Sequence, residues 1–347
     1  MNASALPRAG LDLPAWLSRF PVRRPGPSWR VLVVLLVLGL GRLSGAEPTR
    51  VRLITDWYPQ PEHGGFYQAL LAGHYRGEGL EVEILPGGPN ALAVQRVATR
   101  GADFGMASTD DLLLANERGI PMVAVGATLQ HDPQGILVHA ASPVRGFPDL
   151  EGRTVAVTPG VAWFPYLVRK YGLKTTREIA HTYSIGAFVR DTNYLQQCFL
   201  TSEPFFAREA GVATRVLLIQ DSGYDPYRVF FTRREMVARQ PKVVRAFTRA
   251  SLRGWKEYLE NPAAVHAEIR RRNPEMTPAK MDFSLAALKE HRFVEGDAAR
   301  GEGIGLMTAA RWEFQHRALK ELGLLKGRSP AAEAWTGEFC NPAPPSP

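Results

Sequence analysis

Val51-Arg-Leu-Ile-Thr-Asp-Trp-Tyr-Pro-Gln-Pro-Glu-His-Gly-Gly-Phe-Tyr67 passes from a β-prone run, through a loop, into a helical pattern. Val51 to Thr55 reads as a strand and Phe66 to Tyr75 as a helix. Between them, two adjacent aromatics, two prolines and paired glycines make a stiff loop carrying flat apolar faces beside hydrogen-bonding groups. In open α/β sheets, ligands bind in the crevice at the carboxyl ends of the strands, where this loop lies.

The same alternation recurs outward from this stretch. Glu81 to Leu85 alternates with period two, Asn90 is placed to cap a helix running to Arg100, and Asp103 to Ala107 is a further strand. A helix from Asp110 to Arg118 follows, and strands Val123 to Leu129 and Gly135 to His139 close a first series. A second series opens with Leu150 to Val157, a turn into a strand, and a helix from Trp163 to Tyr171. Strands near Thr182 to Ile185 and Val216 to Ile219 flank a helical stretch around Asn193 to Phe206. Arg228 to Thr232 is apolar and β-prone, and from Pro241 to Leu324 the pattern is almost wholly helical.

Alternation of this size predicts mainly parallel sheets flanked by helices. Two α/β series and a long helical return fit two lobes joined by two hinge crossings, near His139 and Tyr227. Two consecutive independent domains are the other reading, but no Ser/Gly-rich or charged linker separates the halves. The expected division is residues 47–138 plus 228–347 for lobe one and 139–227 for lobe two, with 342–347 a disordered tail.

The N-terminus reads as an export signal. Arg23, Arg24 and Arg30 precede the apolar run Val31 to Leu40, and Ser44 and Ala46 are spaced like a signal-peptidase site. A spanning helix needs about 20 apolar residues, so this run is too short for one. Residues 1–46 are therefore expected to be a Sec-type signal peptide cleaved after Ala46, with an alternative start near Val22, and the mature chain to be periplasmic. The leader holds six arginines and one acid, five of the net charge of +8, which leaves +3 on the remainder. So small a charge gives no support to nucleic-acid binding. Cys198 and Cys340 make no disulfide framework and are expected to be unpaired thiols, one of them buried.

Several side chains can carry recognition. Trp57 or Tyr58 can stack on a planar ligand, or Trp57 can plug the lobe. Ser108 and Thr109 suit a helix N-cap, and the N–H groups of such an end can also hold an anionic or carbonyl group. Thr158, ahead of the Trp163 helix, repeats that logic from the opposite lobe. Glu203 is an acceptor for amino groups on a heterocycle, or a solvated carboxylate favoured by a helix dipole. His63 is solitary rather than part of a metal cluster. No G-x-S-x-G, H-E-x-x-H, phosphate loop or C-x-x-C occurs, so catalysis, metal and cofactor are not expected.

Trp57-Tyr-Pro-Gln-Pro-Glu-His63-Gly-Gly65 resembles the W-x-P-N-x-x-H-x-G signature of the thiamine pyrimidine-precursor binding proteins, with Gln60 where that family often has Asn. These lie within the nitrate/sulfonate/taurine-type substrate-binding proteins. The similarity continues in Gly101 to Asp110, Asp149 to Val157 and Thr201 to Phe206, and spans nearly the whole mature chain. The resemblance implies a type II periplasmic-binding-protein fold, α/β and two-lobed. It implies a monomeric solute-binding component of an ABC importer, closing on a small planar heterocycle and serving permease and ATPase subunits. Trp57, Tyr58, His63, Ser108, Thr109, Thr158, Trp163 and Glu203 are the expected ligand-binding positions. The pyrimidine synthase of thiamine biosynthesis shares the loop, but uses a cysteine-rich iron-linked motif and a lysine that holds pyridoxal phosphate. Here only Cys198 lies in the comparable region and residues 57–65 contain no lysine. An exported ligand-sensing domain is the third reading.

Overall fold

The structure, a computed structural model, describes residues 47–89 and 91–340. The expected signal peptide, the Asn90 cap and the 342–347 tail lie outside them. The first series comprises strands β1 (Thr49–Ile54), β2 (Leu80–Leu85), β3 (Phe104–Ser108) and β4 (Met122–Leu129). Its helices are α1 (Gly64–Leu71), α2 (His74–Gly77), α3 (Ala93–Ala98) and α4 (Thr109–Glu117). The second holds β5 (Gln134–His139), β6 (Thr154–Val157), β7 (Arg177–Ala180), β8 (Leu195–Phe199) and β9 (Thr214–Leu218), with α5 (Trp163–Tyr171), α6 (Gly186–Arg190) and α7 (Glu203–Glu209). The return begins with β10 (Arg228–Arg233). It continues through α8 (Arg234–Arg239), α9 (Pro241–Glu260), α10 (Ala263–Arg272), α11 (Pro278–Glu290) and α12 (Ala309–Glu321).

The strands form two five-stranded sheets, β2-β1-β3-β10-β4 and β7-β6-β8-β5-β9. β1 runs parallel to β2 and β3, and β6 parallel to β7 and β8. In each sheet one strand is antiparallel to both of its neighbours, β10 in the first and β5 in the second. Each of these is the first strand after the chain changes sheets. The two lobes thus share one topology, and the fold is the α/β, two-lobed type II arrangement of mainly parallel sheets. β3, β4 and β5 are buried along their whole length, which explains their apolar runs, since strands covered on both faces need no polar side.

Three sequence expectations are corrected. Gln134–His139 does not close the first series: it pairs with β8 and β9, so the first crossing lies between Leu129 and Gln134 rather than near His139. A fully buried apolar strand carries no mark of the sheet it joins. The strand expected near Thr182 to Ile185 is instead Arg177–Ala180, an exposed edge strand with no alternation to betray it. The helical stretch around Asn193 to Phe206 is a strand, β8, followed by α7. Leu195 and Phe199 sit four apart and imitate a helical face, while Gln196 and Gln197 between them are buried.

The C-terminal helices fasten the segment that follows β1. α9 packs against α1 so closely that a Cβ on Gly254 would stand 2.2 Å from the Gly65 carbonyl oxygen. A Cβ on Gly65 would stand 2.1 Å from the Trp255 ring. Gly64-Gly65 therefore serves helix packing rather than loop freedom. Beneath α9, the Phe247 ring stacks 3.9 Å from Phe104 and 5.3 Å from Tyr75, with Phe66 and Phe230 edge-on or offset around it.

Candidate functional site between the lobes

A cavity of about 360 Å³ lies where the carboxyl ends of the parallel strands of the two sheets face one another. Its back wall is a continuous polar chain. His63, wholly buried, places Nε2 3.0 Å from Asp56 Oδ1 at the end of β1. The Asp56 carboxylate lies 3.6 Å from the Arg228 guanidinium, which reaches Asp132 at 3.3 Å. Asp132 sits in the first crossing and Arg228 at the end of the second, so this pair ties the two hinge strands together. Gln134 donates to Asp132 through its backbone and its side chain, both at 3.0 Å. Its Oε1 accepts from Trp163 Nε1 at 3.1 Å and from Gln197 Nε2 at 3.0 Å. Gln197 Oε1 accepts the Thr158 N–H at 2.9 Å, and the Thr158 hydroxyl donates to the Tyr183 hydroxyl at 3.3 Å. Buried polar groups are costly unless paired, and this chain links them by hydrogen bonds and ion pairs across both lobes, with His63 Nδ1 and Arg228 Nε left without a hydrogen bond.

At the front, Trp57 of lobe one meets Tyr183 of lobe two, ring centres 5.4 Å apart and tilted by 41°. Tyr183 holds φ at +56°, a left-handed backbone that costs a non-glycine residue free energy and so marks a position set by its surroundings. At this spacing the two rings touch each other, so a flat ring can stack against them only where they part.

The charge on the walls is mostly negative. Asp56, Glu62, Asp110, Asp111 and Glu203 line the cavity against one guanidinium, Arg228. Burial pushes the Asp56 carboxyl up, but the His63 bond and Arg228 outweigh it and leave its pKa below the ordinary value. Burial raises Asp110 to about 7, although Gln315 and Tyr224 donate to it. Burial also raises Glu203 and Asp132 and lowers His181.

Trp57, Ser108, Thr158, Trp163 and Glu203 stand on the cavity wall, whereas Tyr58, His63 and Thr109 do not. Tyr58 is half exposed, packing beside Gly88 and edge-on to Trp57 with ring centres 5.6 Å apart. His63 lies behind Asp56 and orients it. Thr109 turns inward, its hydroxyl donating to the Tyr227 carbonyl at 3.2 Å. Ser108 caps α4, but Asp111 closes the capping box and sets a carboxylate where an anion would have to bind. Glu203 accepts the Phe199 N–H at 2.7 Å, so one of its oxygens is already engaged.

Asp56, Gln134, His181, Tyr183, Gln197 and Arg228 were not singled out from sequence. Asp56 alone had a local signal, its place at the end of β1. Among the described residues, no group of three His, Cys, Asp or Glu side chains is placed to hold a metal ion. Cys198 is a buried free thiol on the cavity wall, its pKa pushed up by burial. No described helix is long and apolar enough to cross a membrane.

A family model described as NMT1/THI5 like matches residues 60–265. The chain is 27% identical to the riboflavin-binding protein RibY of Chloroflexus aurantiacus, over 85% of this chain and 87% of that one. It is 24% identical to the 4-amino-5-hydroxymethyl-2-methylpyrimidine phosphate synthase of Legionella pneumophila, over 66% of this chain and 75% of that one. The solved periplasmic aliphatic sulphonate binding protein SsuA of Escherichia coli superposes with a TM-score of 0.62 at 17% identity, covering 82% of this chain and 91% of that one.

Proposed function

The chain belongs to the NMT1/THI5-like family, and we propose that it is the extracytoplasmic solute-binding component of an ABC-type importer. It captures a planar nitrogen heterocycle against Trp57 and Tyr183, which part to admit it, and, once closed, presents it to permease and ATPase subunits. The observation that carries this reading is the pairing of two aromatic faces from opposite lobes at an acidic cavity. Five carboxyl side chains against one already paired guanidinium disfavour a sulfonate or nitrate and favour a neutral or cationic ring bearing N–H donors. A thiamine pyrimidine precursor is the first candidate and a flavin the second, the latter because the riboflavin-binding relative matches most of the chain. The cavity wall carries no lysine and one cysteine, which counts against the synthase reading that the Legionella relative would suggest.

Mass spectrometry of ligand released from natively purified protein should return an aromatic nitrogen heterocycle, and a bound sulfonate would overturn the reading. Trp57→Ala should then weaken that ligand by about 1–3 kcal/mol, the cost of a lost stacking face. Calorimetric titration checks this, and unchanged affinity in a folded variant would remove Trp57 from the site.

A further inference from the structure

Apart from Arg228, whose Nε lacks a hydrogen bond but faces Asp132 as an ion pair, two side chains on the cavity wall have buried polar atoms that nothing in the described protein satisfies. Glu62, in the 3-10 turn Pro61–His63 that follows β1, is 5% exposed. Its Oε1 accepts the hydroxyl of Thr201, which belongs to the loop between β8 and α7 in the other lobe. Its Oε2 is buried and meets no donor, although the residue lines the cavity. His181, just past β7, is 9% exposed and lines the same cavity from lobe two. Its backbone N–H is spent on the Val157 carbonyl at 2.9 Å, yet both ring nitrogens are buried without a partner. Its ring stands edge-on to Tyr183 at 5.0 Å, beside the aromatic slot.

Such groups are rare in folded proteins, because an unmet buried acceptor forfeits the hydrogen bond it had in water. Glu62 is also held firmly where it is. The Thr201 carbonyl receives Lys280 Nζ and Ser284 Oγ of α11, each at 2.7 Å, so the loop that grips one carboxylate oxygen is itself clamped. Lys280 makes no ion pair with Glu62, and its bonds go to Thr201 and Ser284. The free oxygen of Glu62 is therefore fixed in position by a bond that joins the lobes.

We propose that Glu62 and His181 form a polar subsite that reads the N–H edge of the bound heterocycle. Glu62 Oε2 accepts an amino or ring N–H, and the His181 imidazole bonds the neighbouring ring nitrogen or carbonyl. The ligand class is a heterocycle with an exocyclic amino group or an imide N–H beside an acceptor. Because the Thr201 bond orients Glu62, this edge is read in the closed arrangement of the lobes. Burial keeps His181 neutral to lower pH than usual, so it offers one donor and one acceptor. The inference rests on the heterocycle reading above.

Two pairs of probes test it by calorimetry: 4-amino-5-hydroxymethyl-2-methylpyrimidine against its 4-dimethylamino analogue, and riboflavin against its N3-methyl derivative. The wild-type protein should prefer the N–H member of the pair it binds by about tenfold or more, as expected of a hydrogen bond to a charged group. Glu62→Gln keeps an oxygen for Thr201 but puts an amide donor in place of Oε2, and should cut that preference to about threefold or less. His181→Phe keeps the ring and removes both nitrogens, and should weaken the N–H member more than the methylated one. Thr201→Val removes the bond that holds Glu62 in place and should reduce that preference, by less than Glu62→Gln does. An undiminished preference in both Glu62→Gln and His181→Phe overturns the subsite while leaving the heterocycle reading intact. A wild-type protein that binds neither pair overturns both.

Discussion

Arg228→Met is expected to destabilise the protein by about 3–5 kcal/mol, the cost of breaking a buried ion pair from one side. The guanidinium lies 3.6 Å from Asp56 and 3.3 Å from Asp132, and over the Phe199 ring at 5.1 Å. Methionine retains much of the apolar stem over that ring, so the loss reports charge rather than volume. Burial already raises the Asp132 pKa while Arg228 pulls it down, and without Arg228 it must rise further. A carboxyl that holds its proton more tightly when folded than when unfolded gives stability that falls as pH rises above the unfolded value near 3.8. The variant should therefore lie closer to wild type near about pH 5 than near about pH 8. Urea denaturation at both values checks this, and a deficit that is small or independent of pH would show that the hinge does not depend on the pair.

Phe247→Ala should cost a similar amount, about 3–5 kcal/mol, for a different reason. Its ring is wholly buried and touches Phe104, Tyr75, Phe66 and Phe230, so truncation opens a cavity that four surrounding elements cannot jointly collapse. Phe247→Leu, which keeps most of the volume, should cost less than about 1.5 kcal/mol. Neither change touches the cleft, so ligand affinity of the folded protein should hold in both, whereas Arg228→Met should alter it. A loss under about 1 kcal/mol in Phe247→Ala would mean that α9 repacks freely on the first sheet.

Much of the architecture was legible because a strand buried on both faces writes an apolar run into the chain, as Val123 to Leu129 does, and one buried on a single face alternates, as Glu81 to Leu85 does. β7 could not be read, since an exposed edge strand such as Arg177–Ala180 has no buried face to show. β8 could not either, because Gln196 and Gln197 are polar residues buried in a strand whose flanking Leu195 and Phe199 sit at helical spacing. In the site, Trp57, Ser108, Thr158, Trp163 and Glu203 were found by their place at strand ends or helix starts. Tyr58, His63 and Thr109 share that place but point away, and which way a loop side chain turns is settled by packing rather than by position.

The sequence by itself determined the α/β alternation, the long helical return and the aromatic, proline-braced loop at the end of β1. These are local properties, carried by periodicity and turn chemistry within a few residues. Only the tertiary structure decided that Gln134–His139 joins the second sheet, and that Asp56, Asp132, Gln134, Gln197 and Arg228 form one bonded wall. The same holds for His181 and Tyr183, which lobe one faces across the cavity. Periodicity reports whether a side chain is buried by its own element's neighbours. It cannot report what a second lobe, arriving from a distant part of the chain, will place against it.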